Sequence, residues 1–272
     1  MSNILLMGFF AALVAILATI AIERFGGRLG GLLSSLPSTV VPASFGFWVT
    51  AESWAAFEAA IFTVPLGMAV NALFLYSWRI LPPLFSKKHS LVVQLTTMIV
   101  ASLSLWAVGA FALVYVLSIV EDISVWGTLA AVLLVLFGLF ACRGNPPAPK
   151  GAKKISVVTV LSRGILAGVA IGFSVFLSSL GSPILAGMAS VFPAIFLTTM
   201  VSIWVSQGES VQLGAVGPMI LGSSSVAFYA VFASLFYPLL GVFLGGITTW
   251  LSSVLLISLP AWFYLRHQSE RG

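Results

Sequence analysis

Seven acidic residues, two histidines and one cysteine among 272 residues leave few side chains that can do chemistry. Glu58 opens the third apolar run of the chain, and Glu209 stands between the seventh and the eighth. A carboxylate partly withdrawn from water can load and release a proton, the elementary act of proton or cation coupling. The plainer role for both is a negative charge at a helix start, where the dipole favours it. Glu52 and Glu58 are six positions apart, so a continuous helix does not place them on one face and they form no acid pair. Asn71 is an amide deep in the third run, and Ser223, Ser224 and Ser225 lie in the eighth near Gln212. An unpaired polar group in hydrocarbon costs on the order of 2–7 kcal/mol, so each of these must find a partner, water or a ligand.

Proline and glycine precede these polar residues in both runs: Pro65 and Gly67 before Asn71, Pro218 and Gly222 before the serines. Such a pattern suits kinked or interrupted helices lining a polar cavity, while interhelical hydrogen bonding is the alternative use of the same residues. Two further stretches, 26–37 and 181–193, are rich in glycine and serine and end in proline. They carry Ser34 and Pro37 in one case, Ser190 and Pro193 in the other. A proline near a helix start frees carbonyls for a ligand, an ion or a neighbouring helix. Small residues also serve as close-packing surfaces between membrane helices, and transport and packing make the same demand here. Glu23, Arg24 and Arg28 flank the first of these stretches, either to hold an anion beside helix starts or to anchor the chain at the membrane surface.

These residues must be positioned by elements built for lipid. The chain is 60% hydrophobic and 7% charged, against roughly 25% charged in an ordinary soluble domain. The net charge of +5 follows scattered basic residues in short gaps between apolar runs, which argues against nucleic acid as a partner. A membrane-crossing helix takes about 20 apolar residues. On that criterion about nine spans are predicted, near 4–22, 30–50, 56–78, 90–118, 124–142, 157–179, 184–205, 211–233 and 236–264. The last is long enough to hide a break near Pro238 or at Gly245 and Gly246. Arg24 and Arg28 follow the first span, Arg79, Lys87 and Lys88 the third, Arg143, Lys150, Lys153 and Lys154 the fifth, Arg266 and Arg271 the ninth. All these clusters fall on one side, which sets the N-terminus outside and the C-terminus inside a bacterial-type cytoplasmic membrane. The first span lacks a basic n-region and a cleavage pattern, so it reads as retained.

The chain also matches itself at a spacing of 156 residues. Gly8, Ala11, Gly31, Ser34, Pro37, Trp48 and Pro82 fall on Gly164, Ala167, Gly187, Ser190, Pro193, Trp204 and Pro238. The expected architecture is an all-α membrane bundle of two four-span repeats, residues 1–120 and 156–272. A connector span and cytoplasmic loop, 121–155, join them. An odd connector inverts the second repeat relative to the first, a plan that recurs in secondary transporters.

The run from Glu23 and Arg24 through Gly30, Gly31, Leu32, Leu33, Ser34, Ser35, Leu36 and Pro37 resembles the early part of the small four-span GlpM-type bacterial membrane proteins. More weakly, 185–193 does so too, with Ser179 and Leu180 where the charged pair would stand. The resemblance implies a fused duplication of such a unit and a membrane location, and it names no substrate.

With His89 and His267 near membrane ends and Cys142 alone, no metal-ligand spacing is present, and no phosphate loop, dinucleotide fingerprint or nucleophile elbow occurs. No cofactor and no enzymatic activity are expected. The sequence points to a transporter of a small molecule or ion that works without ATP, with a membrane accessory protein or scaffold as the other reading. Association into a homo-oligomer is left open.

Overall fold

The computed structural model describes residues 2–25, 36–84, 90–143 and 156–269. Ser34 and most of the 26–37 stretch lie outside them, as do Arg28, Lys87, Lys88, His89 and the loop 144–155. Among the described residues every regular element is helical: α1 (Ser2–Phe25), α2 (Val40–Thr50), α3 (Trp54–Ile80), α4 (Leu91–Leu117), α5 (Ile123–Cys142), α6 (Val157–Ser179), α7 (Pro183–Ser190), α8 (Ala194–Gln207), α9 (Glu209–Ser253), a π turn (Val254–Ser258) and α10 (Leu259–Ser269).

Six stretches are long and apolar enough to cross a membrane, and α1 and α2 add shorter apolar helices. Large apolar side chains face outward, among them Phe111 at 80% exposure and Leu239 at 76%. Lipid tolerates such a surface and water does not. Helix starts are marked locally. The hydroxyls of Ser53, Ser90 and Ser156 accept from the N–H groups of Ala56, Val93 and Thr159 at the heads of α3, α4 and α6, each satisfying one of the N–H groups that a helix start leaves without a partner.

Two departures from the expected spans have a physical cause. The run 184–205 is α7 and α8, interrupted at Val191, Phe192 and Pro193. Pro193 cannot donate to the preceding turn, and the chain restarts after it. The long helix α9 is non-helical at Gly241, with φ 72° and ψ 169°, rather than at Pro238 or Gly245. Only glycine adopts that conformation without strain. There the chain folds back, because a Cβ on Gly245 would lie 2.8 Å from the Phe236 carbonyl oxygen. In a continuous helix those positions would stand about 13 Å apart. Ala261 accordingly packs with Leu221 and Cys142, and α9 comprises two antiparallel arms, 209–240 and 242–253.

The core is organised around two antiparallel helix pairs. Along α1 and α6 a Cβ on Gly8 would lie 2.9 Å from the Gly168 carbonyl, and one on Gly168 would lie 2.8 Å from that of Gly8. Gly164 meets Ile16 and Ala12, and Gly172 meets Ile4 and Gly8. As position rises in α1 it falls in α6, so the helices are antiparallel, and only glycine permits this approach. The first arm of α9 crosses α3 with the same polarity: Phe57 stacks on Tyr237, ring centroids 5.6 Å apart, while the Gln212 amide donates to the Trp78 carbonyl at 3.0 Å. Between them α5 is wedged through glycines. Gly127 touches Phe62 of α3 and Gly138 touches Leu221 of α9.

Candidate functional site

The interruption between α7 and α8 is held against α3. Gly187 lies so close to the Ala60 carbonyl and to Thr63 that a Cβ has no room, and Gly67 in turn accommodates Val191 and Met188. Asn71, 1% exposed, donates from Nδ2 to the Val191 carbonyl at 2.7 Å. That carbonyl belongs to the interruption itself, so the amide ties α3 to the break. Asn71 Oδ1 is buried with no hydrogen-bond partner among the described residues. Trp106 of α4 closes over the same place, its ring 5.2 Å from that of Phe192.

Beside the break a small cleft of about 30 Å³, partly open to the surface, lies between Thr39, Ala167, Ala170, Ile171, Ser190, Phe192, Ala194 and Ile195. Thr39 immediately precedes α2, and Ala194 begins α8. The start of α2 and the interruption at Pro193 therefore adjoin one space against α6. Pro37 and Pro193 are both buried. The Ser190 hydroxyl donates to the Gly187 carbonyl at 2.7 Å, which leaves its lone pairs free to accept. Neither Thr39 nor Pro193 supplies a side-chain cap to the helix that follows.

The other sequence-derived candidates stand apart from it. Ser223 and Ser225 donate to the Ile220 and Gly222 carbonyls of their own helix, and Ser224 Oγ is buried with no partner among the described residues. Glu58 is half-buried in the second turn of α3. Glu209 is the first residue of α9, after Gly208 with φ 93°. Of the sequence-derived residues, Ser190 lines the cleft, Pro193 stands between the lining residues Phe192 and Ala194, Pro37 stands two positions before Thr39, and Asn71 bonds Val191 beside it; neither glutamate is among the lining residues.

Two polar features had no signal in the local sequence. The hydroxyls of Ser44, Tyr229 and Tyr237 form a buried triangle, with Ser44 to Tyr237 2.8 Å, Ser44 to Tyr229 3.1 Å and Tyr229 to Tyr237 3.0 Å. Ser44 also lies 2.9 Å from the Val41 carbonyl. Three hydroxyl protons serve four contacts, and with Ser44 donating to the Val41 carbonyl one oxygen pair of the ring has no proton between its atoms. The triangle ties α2 to α9 beneath Trp48, whose ring lies 5.2 Å from Phe57 and 5.6 Å from Tyr237. The second feature is Arg163 of α6, 6% exposed, with Nε buried and without a partner among the described residues. It precedes the cleft residues Ala167 and Ala170 by four and seven positions, which puts all three on one helix face.

Among the described residues no group of histidine, cysteine and carboxylate side chains is arranged to hold a metal ion. Neither family models, nor curated proteins, nor solved structures match this chain.

Proposed function

We propose that this chain is a secondary transporter, independent of ATP, that carries a small solute through a cytoplasmic membrane by alternating access between two inverted repeats. The carrying observation is the exchange of contacts between α1 and α6. At the 156-residue spacing of the sequence match, Gly164 is the counterpart of Gly8, Gly168 of Ala12, and Gly172 of Ile16. Gly8 meets Gly168 and Gly172, while Ala12 and Ile16 both meet Gly164. Each position touches the counterpart of the residue that touches its own counterpart. Helices that pair antiparallel and are counterparts in the sequence match are related by a two-fold axis across them, which in this reading lies in the plane of the membrane.

Other counterparts agree. Helix α2 corresponds to α8, α3 to the first arm of α9, and α5 has none, as a connector should not. Thr39 and Ile195, counterparts of one another, both line the cleft. Counting α1, the span that contains α2, and the two arms about Gly241 separately gives nine crossings, with the N-terminus outside and the C-terminus in the cytoplasm. The broken helices meeting at a central cleft supply irregular backbone at membrane depth, which is tolerated where it lines a binding cavity. Pro37, Ser190, Pro193 and Asn71 form or support the solute site, and Ser34 and Ser223 to Ser225 belong to the corresponding polar surface in this reading. Glu58 and Glu209 remain the carboxylates available for ion coupling.

Reconstitution into proteoliposomes tests this reading. Uptake of at least one solute from a panel of amino acids, organic acids and cations is expected, and Asn71→Ala should lower it about tenfold or more, in keeping with a lost hydrogen bond to a charged or strained site. Folded protein that moves none of the panel under imposed solute, proton and sodium gradients would favour the accessory role instead.

A further inference from the structure

We propose that two matching sites in the core, one formed by Asn71, Met68 and Trp106 and the other by Gln212, Met200 and Trp78, each bind one uncharged hydroxyl group, which accepts from the indole N–H and donates to the carboxamide oxygen. The inference stands on burial and hydrogen bonding and does not require transport.

The two sets are built alike. Asn71 Nδ2 donates to the Val191 carbonyl at 2.7 Å and reaches the Met68 sulfur at 3.6 Å. Gln212 Nε2 donates to the Trp78 carbonyl at 3.0 Å and reaches the Met200 sulfur at 3.4 Å. Only the NH2 end of a carboxamide can face a carbonyl oxygen, so the orientation of both amides is fixed. Their oxygens, Asn71 Oδ1 and Gln212 Oε1, are left buried without a partner among the described residues, and so are the indole nitrogens of Trp106 and Trp78. Each unused acceptor therefore has an unused donor for a neighbour. Trp78 is the residue whose own carbonyl holds Gln212. Trp106 lies against Phe192, the residue after the Val191 that holds Asn71, and Gly109, one turn further along α4, is pressed against Val70.

Atoms of this kind sealed from water are strongly unfavourable, and native proteins supply a partner for nearly every one. A single group that satisfies a donor and an acceptor together is a hydroxyl, that of water or of an alcohol. The second lone pair of the Val191 or Trp78 carbonyl adds an acceptor at each site, which brings the partners to about three, the usual number for a buried water. An ion would use only half of such a site, since the indole N–H repels a cation and the carbonyl oxygens repel an anion. Neither set contains an ionised side chain, and Arg79, next to Trp78, donates to the Ala141 carbonyl of α5. Asn71 and Trp78 stand two turns apart on one face of α3, about 10 Å along its axis. Within the transport reading the sites are two uncharged stations along that helix.

The test uses the full chain in neutral detergent, labelled with nitrogen-15 at the indole nitrogens of its eight tryptophans. Trp78→Phe and Trp106→Phe identify the two resonances concerned. Both should lie downfield, where hydrogen-bonded indoles resonate, and show cross-relaxation to a hydroxyl proton. Cross-relaxation to water that glycerol leaves unchanged assigns the hydroxyl to water and supports the sites. A saturable shift on adding glycerol, with cross-relaxation to its carbon-bound protons, supports them with an alcohol as occupant. Asn71→Leu should move the Trp106 resonance upfield and spare that of Trp78, and Gln212→Leu should do the reverse. A Trp106 resonance indifferent to Asn71→Leu would part donor from acceptor and overturn the shared group. Two resonances at the position of unbonded indole, without contact to water or glycerol, would overturn the proposal, as would equal shifts with sodium acetate or choline chloride. The wild-type spectrum decides by itself, so a variant that fails to fold leaves the test intact. Flux in vesicles without hydroxyl contact at either indole refutes these sites and keeps transport, and hydroxyl contact without flux does the opposite.

Discussion

The two antiparallel seams of this protein are closed in different ways. Where α1 meets α6, contact is backbone against backbone through Gly8, Gly164 and Gly168. Where α3 meets α9, it is made by large rings and directional hydrogen bonds: Phe57 on Tyr237 at one end, Gln212 on the Trp78 carbonyl at the other. A glycine seam has no bond that must break for one helix to shift along the other, and it depends wholly on shape. A hydrogen-bonded seam has a preferred register and must surrender particular contacts to leave it. In the transport reading, the first seam is the bearing about which the repeats rock and the second is the latch that sets the closed position.

The ends of the latch differ as well. Ser44 and Met200 are 156 positions apart, as are Trp48 and Trp204. Ser44 joins Tyr229 and Tyr237 through hydroxyls, whereas Met200 offers its sulfur to Gln212 Nε2 at 3.4 Å. Sulfur is the weaker acceptor. The hydroxyl end is thus the tighter one, and opening at the Met200 end costs less.

Changes to the bearing should have the largest effect. Gly168→Leu would force a side chain into the Gly8 carbonyl, and a loss of about 3 kcal/mol or more is expected from overpacking against unyielding backbone, read as a fall in the denaturation midpoint in detergent. Near-normal stability would mean that the α1–α6 contact is looser than described. Next in size, Gln212→Leu removes the donor to Trp78, and a cost of about 1–3 kcal/mol follows from the buried carbonyl left behind. Tyr237→Phe deletes one hydroxyl of the triangle at an expected cost near 1 kcal/mol. It should also raise labelling of a cysteine placed at Trp48, because the latch loosens there. Equal labelling with and without the hydroxyl would remove the triangle from any gating role. Smallest is Glu58→Gln, expected within about 0.5 kcal/mol of wild type because the residue is only half-buried. Its signature would be the proton dependence of flux rather than stability.

How far the sequence foretold this arrangement depends on the range of the interaction concerned. Pro193 announced its interruption because proline acts on its own turn, and it stands where α7 gives way to α8, while the stretch before Pro37 lies outside the described residues. The fold-back within α9 was expected near Pro238 or the Gly245 pair. It falls at Gly241, since several glycines and a proline crowd one stretch and only tertiary packing decides which takes the positive φ. Asn71 was legible as an amide needing a partner, but that its partner is the Val191 carbonyl, 120 residues away, was not. The same holds for Ser44 with Tyr229 and Tyr237, ordinary residues until α2 and α9 are brought together. Arg163 sits close enough to the loop after α5 to pass in the sequence for one more topological anchor, and only its burial on the cleft-lining face of α6 sets it apart.

The central claim is the head-to-tail arrangement of the repeats, and single-cysteine labelling addresses it without knowledge of any solute. Glu52 and Ser210 are both exposed and stand at the corresponding heads of α3 and α9. With Cys142 replaced by serine, Glu52→Cys should react with a membrane-impermeant maleimide in intact cells, and Ser210→Cys only after the membrane is opened. If both react from the same side, the repeats are parallel, and alternating access by inverted halves is wrong for this protein.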